Sequence, residues 1–352
     1  MKALNPKLKQ LLMNGAVIPA HPLVLNSHRQ LDEFRQRRLT RYYMASGAGG
    51  VAVAVHTTQF EIRDPQYNLF EKVLSLAADE VNRANLDRPF IKVAGICGPT
   101  QQAVKEAEIA VKYGYDIGLL SLSAFKNHTE DAIIEHVRTV AEIIPVFGFY
   151  LQPAVGGRLL SYEFWKAFAE VPNVQAIKIA AFNRYQTIDV VRAVCTSGCS
   201  QDIALYTGND DNIIPDLLTT YTFKVGDKVV SRHFNGGLLG HWAFWTHKAV
   251  ELLAKIKERR KAGSNLQALL TDGIAVTDVN AAAFDPQHQF TGCISGIHEI
   301  LRRQGLLEGI WCLSDHEALS PGQMEEIDRV YENYPHLNDD QFVKAFLQAD
   351  KG

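Results

Sequence analysis

The chain has 352 residues, of which 47% are hydrophobic and 21% charged, and its 36 basic and 39 acidic side chains leave a net charge of −3. This composition is typical of a globular protein with a large core. The chain lacks the surplus of basic residues that nucleic-acid-binding proteins usually have, which argues against that class. The length exceeds that of an ordinary domain but suits an α/β barrel that folds as one unit.

The first twenty residues lack the long apolar core of a signal peptide, and no apolar run approaches about 18 residues, the length of a membrane span. Five scattered cysteines fit a reducing compartment, and the one close pair, Cys195 and Cys199, lacks the further ligands of a zinc site. We therefore expect a cytoplasmic protein without nucleic-acid or membrane partners, and we expect neither a metal nor a cofactor.

Short runs rich in Val and Ile alternate with longer helical patterns along the chain. The predicted strands occupy residues 16–25, 49–55, 89–96, 115–122, 145–151, 174–180 and 203–208, and the predicted helices between them occupy residues 28–47, 67–85, 99–114, 129–144, 161–172 and 184–198. Thr129 is the predicted N-cap of the fourth helix. Continuous apolar runs such as GGVAVAV are typical of strands covered on both faces, so the sheet should be parallel.

The eighth strand is assigned to DKVVSRHFNGG, residues 227–237, and the chain after it has a helical pattern. Seven or eight β-α units in series predict a (β/α)8 TIM barrel of the α/β class. We expect the barrel to span residues 1–237 and a C-terminal helical extension, residues 238–352, to pack on it.

In such barrels the chemistry takes place where strands end and loops begin. The candidate residues at these predicted ends are His56, Thr57, Thr58 and Gln59 after the second strand, Tyr150 and Gln152 on the fifth, Lys178 on the sixth, Gly208 and Asn209 after the seventh, and His233 on the eighth. We assign Lys178 and Tyr150 to catalysis and the others to substrate binding.

Lys178 is the residue from which a reaction can be inferred. Burial on an inner strand lowers the pKa of a lysine, and the neutral amine then attacks ketones and aldehydes to give a Schiff base. Tyr150 is a candidate proton carrier, and Thr57 and Thr58 can donate hydrogen bonds to a substrate carboxylate. Alternatively, Lys178 pairs with a barrel carboxylate, and Tyr150 is a core residue.

The segment VFGFYLQPAVGGRLLSYEFWKAFAEVPNVQAIKIAA resembles the fifth and sixth units of the dihydrodipicolinate synthase and N-acetylneuraminate lyase family, and AVAVHTTQF resembles its Gly-Thr-Thr-Gly-Glu turn. The resemblance implies a (β/α)8 barrel, class I aldolase chemistry and usually a homotetramer. It implies that Lys178 is the Schiff-base lysine, that Tyr150 is the proton-relay tyrosine, and that Thr57 and Thr58 hold the keto-acid carboxylate.

The chain also departs from the family's pattern. His56, Gln59 and Phe60 replace two glycines and a glutamate of the turn, and Val155 stands where the synthases carry the arginine that grips the substrate. The tyrosine that the synthases lend across a subunit interface has no match in SLSAFKNHTED. These departures argue against the synthase of lysine biosynthesis, and Arg158, three residues after Val155, is not assumed to replace the arginine.

The leading hypothesis is a lyase of the class I aldolase type, cleaving a carbon–carbon or carbon–oxygen bond of a small 2-oxo acid such as pyruvate, in a homo-oligomer (dimer or tetramer). One alternative is a keto-acid or sugar-acid dehydratase or decarboxylase that uses the same lysine. Another is a barrel that binds such acids without turnover, and a third is an enzyme in which Lys178 only binds an anion. His233, Trp242 and Trp245 either line a bulky pocket or, for the tryptophans, pack helices.

Overall fold

A computed structural model describes residues 2–350, so residues 1, 351 and 352 of the predicted domains lie outside the description. The strands are β1 (Val17–Pro19), β2 (Gly50–Val53), β3 (Ile91–Ile96), β4 (Ile117–Leu120), β5 (Val146–Leu151), β6 (Val174–Ala180), β7 (Ala204–Thr207), β8 (Thr220–Val225), β9 (Lys228–His233) and β10 (Gly236–Leu239). The helices are α1 (Pro6–Asn14), α2 (Glu33–Ala45), α3 (Phe70–Ala84), α4 (Thr100–Lys112), α5 (Glu130–Ala141), α6 (Tyr162–Ala169), α7 (Arg184–Thr196), α8 (Ile213–Leu218), α9 (Thr246–Ala262), α10 (Leu266–Phe284), α11 (Cys293–Arg303), α12 (Gln323–Asn333) and α13 (Asp340–Ala349).

Eight of these strands, β1 to β7 and β10, run parallel in one sheet and alternate with helices. All residues of β2, β3, β4 and β7 are buried, as expected of strands that are covered on both faces. This explains why β2 and β4 are continuous apolar runs instead of alternating ones. The predicted (β/α)8 barrel with C-terminal helices is confirmed.

The predicted eighth strand, in contrast, is wrong. β9 pairs antiparallel with β8, and the two form a hairpin that turns at Gly226, where φ is 60°. The eighth barrel strand is β10, which pairs in parallel with β7 and has Gly236 opposite Tyr206. A Cβ atom at Gly236 would lie 2.4 Å from the carbonyl oxygen of Ala16. Close backbone approach therefore requires glycine here, and a search for Val-rich runs misses the strand.

The described chain divides into two compact units. The first runs up to Ala16 and over Ile91–Leu238, and it holds β3 to β9 with most of β10. The second comprises Val17–Phe90 and the chain from Leu239 onwards, and it holds β1, β2, helices α2 and α3, and helices α9 to α13. The predicted domain division after residue 237 stays a prediction.

Side-chain caps fix where two helices of the first unit begin. The Thr129 hydroxyl accepts a hydrogen bond from the Ala132 N–H at 3.3 Å and caps α5, as predicted. The Ser161 hydroxyl accepts one from the Phe164 N–H at 3.0 Å and caps α6. Helix α6 then buries the aromatic side chains of Phe164, Trp165 and Phe168.

In the second unit, Trp242 and Trp245 are 2% and 1% exposed. The Trp245 ring makes edge contacts with Phe244 at 5.4 Å and with Tyr331 of α12 at 5.2 Å between centroids. These contacts support helix packing as the role of Trp245.

Candidate active site

Lys178 lies on β6 between two neighbours across the sheet, Phe149 of β5 and Tyr206 of β7. Since paired residues of parallel strands point to the same face, the three side chains share one face of the sheet. The Lys178 Nζ lies 4.5 Å from the centroid of the Phe149 ring, which is a cation–π distance. Phe147 shares this face, because its ring meets that of Tyr206 at 5.3 Å.

Gly208, directly after β7, packs against the aliphatic stem of Lys178, and we call this contact the seat of the lysine. A Cβ atom at this position would lie 2.5 Å from Lys178 Cε and 3.1 Å from Lys178 Cγ. Any other residue would have to displace the lysine, so the absence of a side chain at Gly208 permits the observed position of the amine. The structure thus brings together two of the predicted residues, Lys178 and Gly208.

The surroundings of the amine determine its acidity. Burial disfavours the charged ammonium and lowers the pKa of Lys178 to about 8, although the Asp210 carboxylate counteracts part of this effect. At pH 7 an amine with such a pKa is about 10% neutral, against less than about 0.1% for an ordinary lysine. Lys178 is therefore able to act as a nucleophile at neutral pH.

Tyr150 does not share the face of Lys178. It follows Phe149 on β5, so its side chain points to the opposite face of the sheet. On that face a Cβ atom at Gly148 would meet the Phe168 ring of α6 at 2.5 Å, and the Tyr150 ring lies 5.0 Å from the Trp165 ring of α6. Burial raises the pKa of Tyr150. The structure places this tyrosine against the helix layer, and its relay role stays a prediction.

Two further predicted residues lie in loops at the carboxyl ends of β5 and β7. The backbone N–H of Gln152 donates to the Ala180 carbonyl at 3.0 Å, which ties the loop after β5 to the end of β6. The side chain of Asn209 is buried, and its Oδ1 accepts the Phe182 N–H at 2.9 Å. Asn209 therefore organises the site's loops, and its predicted contact with substrate remains untested.

The turn after β2 belongs to the second unit. Thr58 is buried, its hydroxyl donates to the His21 carbonyl at 2.7 Å, and it accepts the Val55 N–H at 3.2 Å. Thr57 is 2% exposed, and its Oγ1 has no hydrogen-bond partner among residues 2–350. A buried hydroxyl without a partner is rare, so Thr57 is the better candidate for a ligand donor of the two.

Gln59 occupies a backbone conformation that favours glycine, with φ 65° and ψ 125°. This is the position at which the family's turn has its second glycine. The Gln59 Oε1 accepts the Leu313 N–H at 2.6 Å, so the side chain anchors the segment that follows α11. The nearby His56 is exposed, and its ring lies 6.1 Å from that of Phe60.

His233 does not end the eighth barrel strand, so the reason for its predicted place in the site is lost, and its contact with substrate stays a prediction. It closes β9 and pairs with Thr220 in the hairpin. The preceding Arg232 donates a hydrogen bond to the Ile203 carbonyl, directly before β7 begins. His233 therefore lies by the amino ends of the strands, whereas Gly208 lies at a carboxyl end.

The guanidinium group of Arg158 forms hydrogen bonds within the protein. One guanidinium nitrogen donates to the carbonyls of Phe125 and His128, each at 2.8 Å, and so ties the loop after β5 to the loop after β4. Within residues 2–350, no group of three or more His, Cys, Asp or Glu side chains is arranged to hold a metal ion.

Sequence reasoning missed Asp216 on α8, a carboxylate with 0% exposure that accepts hydrogen bonds from Thr207 and Asn209. The signal in the sequence was a single acidic residue inside an apolar run, IIPDLL. A buried carboxylate needs partners, and these come from loops whose proximity only the fold reveals.

The barrel and the half-buried lysine on β6 match the architecture of class I aldolase-type lyases. A profile of the dihydrodipicolinate synthetase family matches residues 14–236, more than half of the chain, and the chain belongs to that family.

Curated relatives carry the name 4-hydroxy-tetrahydrodipicolinate synthase. The protein from Thiobacillus denitrificans is 27% identical over 189 residues, which are 53% of this chain and 60% of that protein. The protein from Cyanothece sp. is 28% identical over 229 residues, 64% of this chain and 72% of that protein. The match thus spans about 60% of the length of the first of these relatives.

Solved structures agree on the fold. N-acetylneuraminate lyase from Fusobacterium nucleatum, complexed with pyruvate, gives a TM-score of 0.71 at 16% identity and covers 93% of this chain and 99% of that one. Dihydrodipicolinate synthase from Cyanidioschyzon merolae, with lysine bound, gives a TM-score of 0.73 at 18% identity and covers 91% and 98%. At these identities the likeness shows the fold alone.

Proposed function

We propose that the protein is a Schiff-base-forming lyase of the aldolase type that acts on a 2-oxo acid, with Lys178 as the nucleophile. The observation that carries the proposal is the position of this half-buried lysine, whose amine lies 4.5 Å from the centroid of the Phe149 ring and whose stem lies against Gly208, and desolvation there lowers its pKa to about 8. Membership of the dihydrodipicolinate synthetase family supports the same chemistry.

The reaction follows from the chemistry of an amine and a ketone. The neutral Lys178 amine adds to the C2 carbonyl, and loss of water leaves an iminium with a carbon–nitrogen double bond. In a substrate with a hydroxyl group on C4, that hydroxyl loses its proton as the bond between C3 and C4 breaks, and the iminium accepts the electron pair of this bond, which gives an enamine and a carbonyl product. Protonation of the enamine and hydrolysis of the iminium then regenerate the amine.

The carboxylate of the substrate needs hydrogen-bond donors, and we propose that Thr57 supplies one. Its buried hydroxyl has no partner among residues 2–350, whereas that of Thr58 is already bonded to His21. Thr58 would then contribute by shaping the turn. His56, Gln59, Gln152 and Asn209 stay candidates for contacts with the variable part of the substrate.

Two alternatives use the same barrel. A keto-acid or sugar-acid dehydratase or decarboxylase would form the same iminium and break a different bond. A barrel that only binds such acids would explain the altered turn, but it would not need an amine of lowered pKa. The absence of the synthases' arginine at Val155 argues against the synthase of lysine biosynthesis, as does the engagement of Arg158 with two carbonyls.

We further propose a homo-oligomer, dimer or tetramer, in the cytoplasm. Family resemblance supports the first part. The second is supported by the five cysteines, which are scattered along the chain without the dense spacing of a disulfide framework. No helix in the part of the chain that the structure describes is long and apolar enough to span a membrane.

Borohydride reduction in the presence of pyruvate tests the proposal directly. A Schiff base on Lys178 would be reduced to a stable secondary amine and found by peptide mass mapping. Lys92 on β3 is a suitable internal control, because it is also buried and burial also lowers its pKa. An adduct on Lys178 and not on Lys92 supports the proposal, whereas folded protein that traps no 2-oxo acid contradicts it.

A further inference from the structure

A buried carboxylate supports the loop that seats Lys178. Asp216 on α8 is 0% exposed. Its two oxygens accept hydrogen bonds from Thr207 Oγ1 at 2.7 Å, Asn209 Nδ2 at 2.9 Å, Asn212 Nδ2 at 3.0 Å and an Arg184 guanidinium nitrogen at 2.5 Å. A carboxylate that is bonded on both oxygens holds its partners in one arrangement.

These bonds restrain two loops at once. Asn209 donates to Asp216 through Nδ2 and accepts the Phe182 N–H through Oδ1, so it joins the loop after β7 to the loop after β6. Between them, the Gly208 N–H donates to the Ile179 carbonyl at 2.7 Å. Ile179 is the residue next to Lys178, and Gly208 is the residue on which the lysine stem rests.

We propose that Asp216 is a positioning residue for Lys178, which fixes segment 207–212 so that Gly208 stays against the stem of this half-buried lysine and limits the access of water to its amine. This inference rests on the proposed function, in which Lys178 is the reacting amine. Asp216 acts through Asn209 and Gly208 and needs no contact with reacting atoms. Its loss should therefore change the titration of Lys178.

The charged and titratable groups around the network allow such a titration to be interpreted. Asp210 faces Lys178, while Arg184, Asp211 and Tyr221 face Asp216. Burial raises the pKa of Tyr221 to about 12, and burial together with the Asp216 charge raises that of Asp211. An Asp211→Asn variant, measured in parallel, removes that carboxyl from the profile.

The test measures the acidity of Lys178 without requiring turnover. Acetic anhydride labels neutral amines, and peptide mass spectrometry quantifies the labelling of Lys178 from about pH 6 to 11. We expect a wild-type midpoint near the pKa of about 8. In Asp216→Asn the midpoint should rise by about half a pH unit or more, because burial is the main cause of the low value and water would then reach the amine.

A second measurement follows adduct formation with pyruvate and borohydride. At about pH 7.5, Asp216→Asn should trap roughly three- to tenfold more slowly than wild type and should recover above about pH 9, where the amine is neutral in both. Asp339→Asn is the matched control, since Asp339 is 3% exposed and accepts hydrogen bonds from Tyr42 and Gln304 in the second unit. It should lose stability and keep the midpoint of Lys178.

If the Asp216→Asn variant folds and the labelling midpoint of Lys178 is the same as in wild type, the inference is overturned. This holds even if adduct trapping is slower by the same factor at every pH, because such a uniform loss indicates a purely structural role. If wild type traps no 2-oxo acid, the proposed function fails, and the labelling midpoint still decides whether Asp216 positions the amine.

Should Asp216→Asn not fold, an exchange of the two side chains keeps the inference testable. In the double variant Asn209→Asp/Asp216→Asn the number of carboxylates is unchanged. The amide at position 216 can donate a hydrogen bond to the carboxylate at position 209, which reverses the wild-type bond. Position 209 can still accept the Phe182 N–H. We expect the double variant to fold and to have a midpoint closer to that of wild type than Asn209→Asp alone, in which two carboxylates repel each other. Equal midpoints in these two variants would contradict the inference.

Discussion

The loops around Lys178 and the turn after β2 differ in how far their buried polar atoms are hydrogen-bonded within the protein. Around Lys178, Asp216 and Asn209 use their side-chain oxygens and nitrogens within the protein. In the turn, the hydroxyl of Thr57 and the amide nitrogen of Gln59 are buried without partners among residues 2–350, and Gln59 has a φ of 65°. The first region is satisfied before any ligand arrives, and the second is not.

This difference indicates different tasks. A reacting amine must be held in one position, and saturated hydrogen bonds in the surrounding loops achieve this. A ligand-binding turn gains when a ligand satisfies donors that are otherwise left unpaired. Variants in the first region should therefore affect the rate of covalent chemistry, and variants in the second should affect substrate affinity.

The largest effect is expected for Lys178→Met, which keeps an apolar stem and removes the amine. Adduct formation and turnover should fall by about 10³-fold or more, because no other group can form the covalent bond. Lys92→Met, at another buried lysine, is the matched control and should keep the activity. Full turnover in Lys178→Met, measured by product formation, would leave Lys178 as an anion anchor.

Gly208→Ala tests the seat of the amine. The new methyl group would lie 2.5 Å from Lys178 Cε, so the lysine must move. We expect trapping to slow by roughly 10- to 100-fold and unfolding to become easier by about 1–3 kcal/mol. Gly198→Ala is the control, since no atom lies within 4 Å of a Cβ there. Equal trapping rates in the two variants would show that the lysine does not need the seat.

Thr57→Val and Thr58→Val separate binding from structure in the turn. Thr57→Val should weaken 2-oxo acid binding about tenfold, as for one lost hydrogen bond to a charged group, with little change in stability. Thr58→Val should cost about 1–3 kcal/mol of stability, because it leaves the His21 carbonyl and the Val55 N–H unpaired. Titration with pyruvate and thermal unfolding check the pair, and the reverse pattern would assign the carboxylate to Thr58.

The pH dependence concerns the first region alone. With a pKa of about 8 for Lys178, the rate of trapping should rise about tenfold from about pH 7 to about pH 9 and then level off. The unfolded chain holds this proton up to about pH 10.4, so between these two values it binds more protons than the folded chain. Stability relative to Lys178→Met should therefore rise with pH in that window, which denaturant titrations can measure.

Much of this could be read from the sequence because it depends on local patterns. The buried strands β2 and β4 are continuous apolar runs, and the lysine near the end of β6 attracts attention because the chemistry of such barrels takes place at strand ends. The eighth strand could not be found in this way. The backbone at position 236 lies so close to Ala16 that only glycine fits, and a glycine-rich sequence does not indicate a strand. The network around Asp216 was hidden for another reason: its partners come from different loops that only the barrel brings together.

The register of a strand determines which face of the sheet each side chain points to, and for β5 it determines whether Tyr150 can reach Lys178. The sequence places it near the carboxyl end of β5, next to β6, and the family resemblance adds a relay role. In the structure, Phe149 takes the face of Lys178, and Tyr150 takes the opposite face against Trp165. A shift of one residue reverses every side chain of a strand, so proximity along the chain cannot settle the matter.

Tyr150→Phe therefore has the smallest expected effect, and it tests whether Tyr150 belongs to the surroundings of Lys178 at all. If the hydroxyl lies among the helices, its loss should slow trapping and turnover by no more than about threefold, whereas loss of a proton carrier costs about 10²–10⁴-fold. Phe149→Leu is the informative partner, because it removes the ring 4.5 Å from the amine while keeping an apolar side chain. We expect Phe149→Leu to alter the pH midpoint of trapping and Tyr150→Phe to leave it unchanged. A large loss in Tyr150→Phe alone would mean that β5 changes its register when substrate binds, and the relay role would then hold.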